Sequence, residues 1–282
     1  MVSIKLVRND GKEFKIDGEH WKLYGEIQGI SNVNIELTTA KNLSGSGSIV
    51  TTRRIGTRDV TFNAVNVKGK PSDMRAKAIV FFNPEYTYTM FITYQGVTRR
   101  LQCELYKYEI PAENVHRMLK LQVTMLATDP FFTSENDNSQ FLGKIKGRIG
   151  FPYVSIVNKG FVVSNLAPTK SVKVINDGVT PTGYSVHVNI IGAVTNPTIF
   201  QDNLPFKIYD TFEKNDTLDI DFESAIPKVR KNGVNIIQKV DRFAEFSTMK
   251  LRVGETQLSY TAESGENNMQ ITIRFYKKYL GV

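Results

Sequence analysis

The sequence is poor in the residues from which most reactive sites are built. Its 282 residues include one cysteine, Cys103, one tryptophan, Trp21, and three histidines, His20, His116 and His187. A single cysteine excludes an intrachain disulfide and a cysteine-built metal site, and it fits folding in a reducing cytoplasm. The histidines lie far apart with no partner at metal-ligand spacing, and each reads as a surface or polar-core residue. Neither a His-Glu-x-x-His helix nor a Gly-x-Ser-x-Gly nucleophile turn occurs. Ser44-Gly45-Ser46-Gly47-Ser48 lacks the Gly-Lys-Ser/Thr ending of a phosphate loop and reads as a flexible loop tip. No window holds the roughly 18 apolar residues of a membrane span, so no membrane insertion is expected. The opening stretch from Met1 to Asp17 has no apolar run of signal-peptide length, which argues against unaided secretion. No catalytic residue, metal or cofactor is expected, and the chain does not read as an enzyme.

Charge is the next candidate. The net charge is +8 and the pI about 9.3. Up to Phe132 there are 18 Lys and Arg against 13 Asp and Glu, and beyond it 18 against 15, an excess of +5 and then +3. The excess is spread through both parts and interleaved with acids. The basic clusters, Arg53-Arg54 with Arg58, Arg99-Arg100, and Lys228 to Lys231, carry none of the interleaved aromatics of a nucleic-acid stacking groove. A solvated basic surface accounts for them.

What the chain does contain is strand pattern, divided by one stretch. From Leu119 to Met125 apolar residues fall on every second position, the period of a half-buried strand. Pro130 then removes a backbone donor and holds Asp129 extended, so the ladder must stop. Phe131 and Phe132 follow, and then polar residues from Thr133 to Gln140. This reads as a domain's last strand with an anchor. It divides the chain into residues 1–135, a linker at 136–150, and a second domain at 151–282. It remains open whether the last residues pack back on the first domain.

In the first domain, Asn9-Asp10-Gly11 joins Val2 to Val7 and Phe14 to Ile16 as a hairpin. Strands are expected at Trp21 to Ile30 and Val33 to Leu37, and a long projecting hairpin over about 39–59. Such a projection leaves unpaired edges that an oligomer can cover. A helix is expected over about 72–82, capped by Ser72, with Met74, Ala78, Phe81 and Phe82 on its apolar face. Tyr86 to Tyr94 and Val97 to Tyr108 form a hairpin around Gln95-Gly96, and Leu119 to Thr128 closes the sheet.

The second domain reads as all β, with about ten short strands and regular turn signals, the pattern of a β-sandwich. Among them are Ile156 to Asn158, Phe161 to Val163, Val234 to Ile237 and Thr248 to Leu251. The acidic run Asp216 to Glu223 places Asp219, Asp221 and Glu223 on one strand face and Leu218, Ile220 and Phe222 on the other. That is a strand with one solvated face and not a calcium loop, which would bring its oxygens round a turn.

Several of these pieces, in this order, resemble the distal tail proteins (Dit) of long non-contractile-tailed bacteriophages, the siphovirus tail components. The resemblance covers nearly the whole chain. In the first domain it lies in Asn83-Pro84 after the helix, the hairpin through Gly96 with Arg99 and Arg100, and Leu126 to Phe132. In the second it lies in Gly192 through Asn196-Pro197-Thr198-Ile199, Asp216 to Asp221, Val229 to Asn235, and Ile271 to Tyr276. The resemblance implies a mainly β fold with a tail-tube-like, β-sandwich-like N-terminal domain carrying one helix and the long hairpin, followed by a galectin-like β-sandwich.

It also implies a homohexameric ring at the virion tail tip, assembled in the bacterial host cytoplasm, with the hairpin embracing a neighbour. The implied partners are other copies of the chain, the tail tube protein, and the tail-associated lysin or tip fibre protein. A receptor-binding protein stays an open partner, and DNA is passing cargo. Arg53, Arg54, Ile55 and Arg58 are then subunit-interface residues, with solvated loop arginines as the competing account. Asp129, Pro130, Phe131 and Phe132 form the inter-domain seam. The alternative function is a carbohydrate-binding adhesion module, for which Tyr153, Tyr184, Tyr209 and Tyr260 are the stacking candidates.

Overall fold

The computed structural model describes residues 2–42, 45–111, 118–142, 144–147, 164–167, 171–224 and 226–282. His116, Tyr153 and the strands expected at Ile156 to Asn158 and Phe161 to Val163 lie outside these residues. The chain forms two compact units, residues 1–135 with 278–282, and residues 136–277.

The first unit is built on β1 (Ser3–Arg8), β2 (Glu13–Ile16), β3 (Trp21–Leu23), β4 (Ile35–Lys41), β5 (Ser48–Ile55) and β6 (Arg58–Asn66). These are followed by α1 (Pro71–Phe81), β7 (Thr87–Tyr94), β8 (Val97–Glu109), β9 (Lys120–Ala127) and β10 (Phe132–Ser134). The main sheet runs β2-β1-β7-β8-β9-β6-β3, and every pairing in it is antiparallel. Alternation sets the core. Val60, Phe62 and Ala64 of β6 and Leu121, Val123, Met125 and Ala127 of β9 point inward together with Met74, Ala78 and Phe81 of α1. Gln95 and Gly96 both have positive φ (49° and 85°), the two-residue turn that matches strand twist and joins β7 to β8.

Four expectations are corrected in this unit. First, β9 does not close the sheet, because β6 and β3 lie beyond it. Second, the strand expected from Trp21 to Ile30 ends at Leu23. Gly25 and Gly29, at φ 74° and 86°, turn the backbone out of the extended region. Third, Ser72 does not cap α1. Its hydroxyl bonds Asp73, and the helix starts at Pro71, whose fixed φ suits the first helical position. Fourth, the projecting hairpin spans β4 and β5, so Arg58 and Asp59 belong to β6 and the main sheet.

The second unit contains β11 (Asn138–Leu142), β12 (Lys144–Gly147), β13 (Ser164–Ala167), β14 (Ser171–Asn176), β15 (Tyr184–Ile190), β16 (Val194–Gln201) and β17 (Leu204–Lys207). It continues with β18 (Thr211–Phe212), β19 (Thr217–Asp221), β20 (Lys228–Lys231), β21 (Val234–Asn235), β22 (Gly254–Ser264) and β23 (Met269–Phe275). Two antiparallel sheets, β11-β23-β15-β19-β20-β21 and β14-β22-β16-β17 with β18 on β16, share one apolar core. Val186, Val188, Leu218, Ile220, Ile271 and Ile273 come from the first sheet, and Val174, Ile199, Leu258 and Tyr260 from the second.

Residues 138–142, which fall in the stretch read as linker behind the polar run Thr133 to Gln140, form an edge strand on β23. Polarity there marks a solvated strand. The strand expected at Thr248 to Leu251 is instead a 3-10 turn at Phe246–Thr248 followed by a single bridge from Leu251 to Thr182. Val234 to Ile237 is likewise a two-residue strand running into a 3-10 turn at Ile237–Lys239.

Candidate assembly surface: the arm and its root

β4 and β5 pair only with each other, and every residue of β4 is exposed. A two-stranded ribbon with no core is marginal on its own in water, so the arm's own residues do not explain why it is kept. The register explains its chemistry. Ile35 faces Ile55, Glu36 faces Arg54, Leu37 faces Arg53 and Thr38 faces Thr52. A bulge then leaves Thr51 unpaired, so Thr39 faces Val50 and Ala40 faces Ile49.

Directly opposed residues share a face, so Ile35, Leu37, Val50 and Ile55 line one side with Arg53 among them. Glu36, Arg54, Thr38 and Thr52 occupy the other. Without the bulge, Ile49 would take the place of Val50 on the apolar side. Ile35 and Leu37 are 60% and 56% exposed. Arg54 is spent within the arm, with its Nε donating to Glu36 at 2.6 Å. Glu36 is the only carboxylate between Val33 and Thr57. Arg53 is exposed beside the apolar stripe, and Lys41 at the end of β4 is a second exposed cation of the arm.

Arg58, expected on the projection, is turned inward and is 3% exposed. Its Nε donates to the Pro130 carbonyl at 2.6 Å, and its terminal nitrogens donate to the carbonyls of Gly29, Asn32 (2.8 Å) and Leu280 (2.6 Å). The guanidinium also lies over the Phe132 ring, 4.8 Å from its centroid. Burial lowers the Arg58 pKa, but the fork of donors matches four carbonyl dipoles and the charge stays satisfied. In sequence Arg58 is in phase with the buried positions Val60, Phe62 and Ala64. That phase was the available signal that it points inward.

The same guanidinium brings part of the expected seam together. Pro130 is buried and gives its carbonyl to Arg58, and Phe132 is wholly buried beneath it. Asp129 is exposed, and it accepts from the Phe131 amide at 3.2 Å and from Lys278 Nζ at 2.7 Å. Phe131 is half-buried beside Lys278. The seam residues are therefore core and clamp of the first unit, joined there by β24 (Lys278–Tyr279), the last strand of the chain.

In the second unit the acidic run folds as its alternation requires, with Leu218, Ile220 and Phe222 buried. Asp219 meets His187 Nδ1 at 2.5 Å. Burial opposes the Asp221 carboxylate, but the Ser224 hydroxyl and the Ser224 and Glu223 amides outweigh it and hold its pKa below the ordinary range. Among the described residues no three His, Cys, Asp or Glu groups converge to hold a metal. Of the tyrosines proposed as sugar platforms, Tyr184 and Tyr260 are buried, which removes them from that role, while Tyr209 is 51% exposed.

Among the described residues the chain is a two-unit, mainly β fold with one helix and an exposed amphipathic arm. Residues 177–279 match the family model described as siphovirus-type tail component, C-terminal domain. Over its whole length the chain is similar to the crystal structure of the SPP1 Dit protein, described as a paradigm of the hub adsorption apparatus in phages infecting Gram-positive bacteria. That match has a TM-score of 0.69 and 14% identity and covers 98% of this chain and 99% of the other. Chains of the phage P2 baseplate in its activated conformation are also similar over 100% of both chains. With Ca the TM-score is 0.58 at 10% identity, and with Sr it is 0.59 at 8%. No curated protein matches the chain in sequence.

Proposed function

We propose that the chain is the structural hub of a phage or prophage tail tip and acts by assembly, without catalysis. Copies of it close into a homohexameric ring. The ring joins the tail tube to the tail-associated lysin or tip fibre protein and to the receptor-binding apparatus, and its channel passes DNA. The observation that carries this reading is the arm. Its apolar stripe of Ile35, Leu37, Val50 and Ile55 has no cover among the described residues of its own chain, and an exposed two-stranded edge of that kind calls for a partner. A heterologous contact that closes on itself covers the same surface on every copy. Arg53 is then placed to meet a carboxylate of the neighbour.

The test is to replace residues 35–55 by a short turn between Asn34 and Gly56, which already bond through their backbones at 2.8 Å. Light scattering should show the intact chain as a multimer and the shortened chain as a monomer, with the second unit still folded. A shortened chain of unchanged assembled mass would remove the arm from the interface.

A further inference from the structure

The arm leaves the main sheet by one loop and returns by another, and Arg58 and the residues at 280–282 tie the two together at four carbonyls. Gly29 and Asn32, in the loop entering the arm, both accept from Arg58, the first residue of β6 after the arm. Ile30, between them, accepts from the Val282 amide at 3.2 Å. Leu280, two residues before Val282, gives its carbonyl to the same Arg58, 222 residues away. Residues 278–282 are fixed along their length. Tyr279 pairs with Phe132 and lies under the Arg99 guanidinium, 3.2 Å from the ring centroid, and Lys278 pairs with Asp129. The entry loop's other ties are the Gln28 to Thr61 bridge, the Tyr24 amide on the Asn63 carbonyl at 2.8 Å, and the partly buried Ile27 and Ile30, and it carries two glycines at positive φ.

We propose that residues 278–282 act as a strap that locks the root of the arm. When they are docked, Arg58 makes all four of its carbonyl bonds and the entry loop is pinned to the exit. When they are released, Arg58 loses one acceptor, Ile30 loses its donor, and the arm swings on Gly25 and Gly29. The strap follows β23, which pairs with β11 and β15 in the second unit's sheet, after only Tyr276 and Lys277. A pull on that strand therefore reaches the arm root along two residues of chain. The consequence for assembly rests on the reading of the arm as the subunit contact; the lock itself does not.

Amide hydrogen exchange separates the two. Gln28 N–H bonds Thr61 and Gly56 N–H bonds Asn34, so both report the root. In a chain ending at Lys277, their protection should fall at least tenfold while the β6–β9 amides keep theirs. Val282→Pro, which removes the donor to Ile30 without shortening the strap, should give a smaller loss in the same direction. Trp21 fluorescence reports whether the first unit stays folded; if the shortened chain unfolds, Val282→Pro decides alone. Unchanged protection at Gln28 and Gly56 in the folded variants would overturn the strap. If protection falls and the assembled mass does not, the strap stands and the arm's role in assembly fails.

Discussion

Arg8 donates from its guanidinium to the carbonyl of Phe81 at 3.1 Å, 73 residues along the chain and at the last turn of α1. It also bonds the Val80 carbonyl at 3.0 Å and lies over the Tyr86 ring. The helix has no basic residue in its own last turn, so β1 supplies the cation that its C-terminal carbonyls favour. Replacing Arg8 by Met should cost about 2 kcal/mol, because buried carbonyls lose a charged donor. Denaturant unfolding followed by Trp21 fluorescence measures it, and a change within error would show that water takes over the cap.

The same arginine sets a pH dependence. Its hydrogen bond to Asp10 holds that carboxyl at about 2 against an ordinary 3.8. A lowered folded-state pKa gives stability that is present above about pH 4 and lost as pH falls through about 2. Asp10→Asn should flatten this acid limb of the stability profile and leave the neutral region parallel to the parent.

The two adjacent phenylalanines should behave differently. Phe132 is wholly buried under Arg58, and its change to Ala should cost about 3–5 kcal/mol. Phe131 is half-buried, and its change should cost about 1 kcal/mol. Equal losses in thermal unfolding would contradict the assignment of Phe132 as the anchor.

Gly29 admits no side chain. Its φ is +86°, and a Cβ there would meet the Asp59 carbonyl oxygen at 1.9 Å. Gly29→Ala should destabilise the first unit by more than about 2 kcal/mol, from strain and displaced backbone together. The second unit's unfolding transition should not move.

Cys103 is buried between strands, and desolvation pushes its thiol up to about 12. It should resist thiol reagents at pH 8 in the folded chain and react at a rate set by unfolding. Rapid stoichiometric labelling of native protein would show a local opening at β8.

Much of the fold was legible because strand periodicity is local. The hairpins at Asn9 to Gly11 and at Gln95-Gly96, the inward phase of β9, and the divided faces of β19 all follow from short windows. What was not legible depended on distant backbone. The partners of Arg58 are carbonyls of Gly29, Asn32, Pro130 and Leu280, and a main-chain acceptor leaves no side-chain signature to read. The position of β9 between β8 and β6 is set by tertiary pairing, so a strand that looked terminal in order became interior in space. The polar run from Thr133 to Gln140 misled for a related reason. An edge strand with solvent around it and a linker can share a composition.

The bulge at Thr51, held by its hydroxyl on the Thr38 carbonyl at 3.0 Å, makes the arm sensitive to length and tolerant of substitution. Exchanges among Val, Ile and Leu on its apolar side leave both sides as they are. A single residue gained or lost between Thr51 and Ile55 turns the stripe over. Natural variants of this chain should accordingly drift freely in residue type along the arm while the residue count from Thr51 to Ile55 stays fixed.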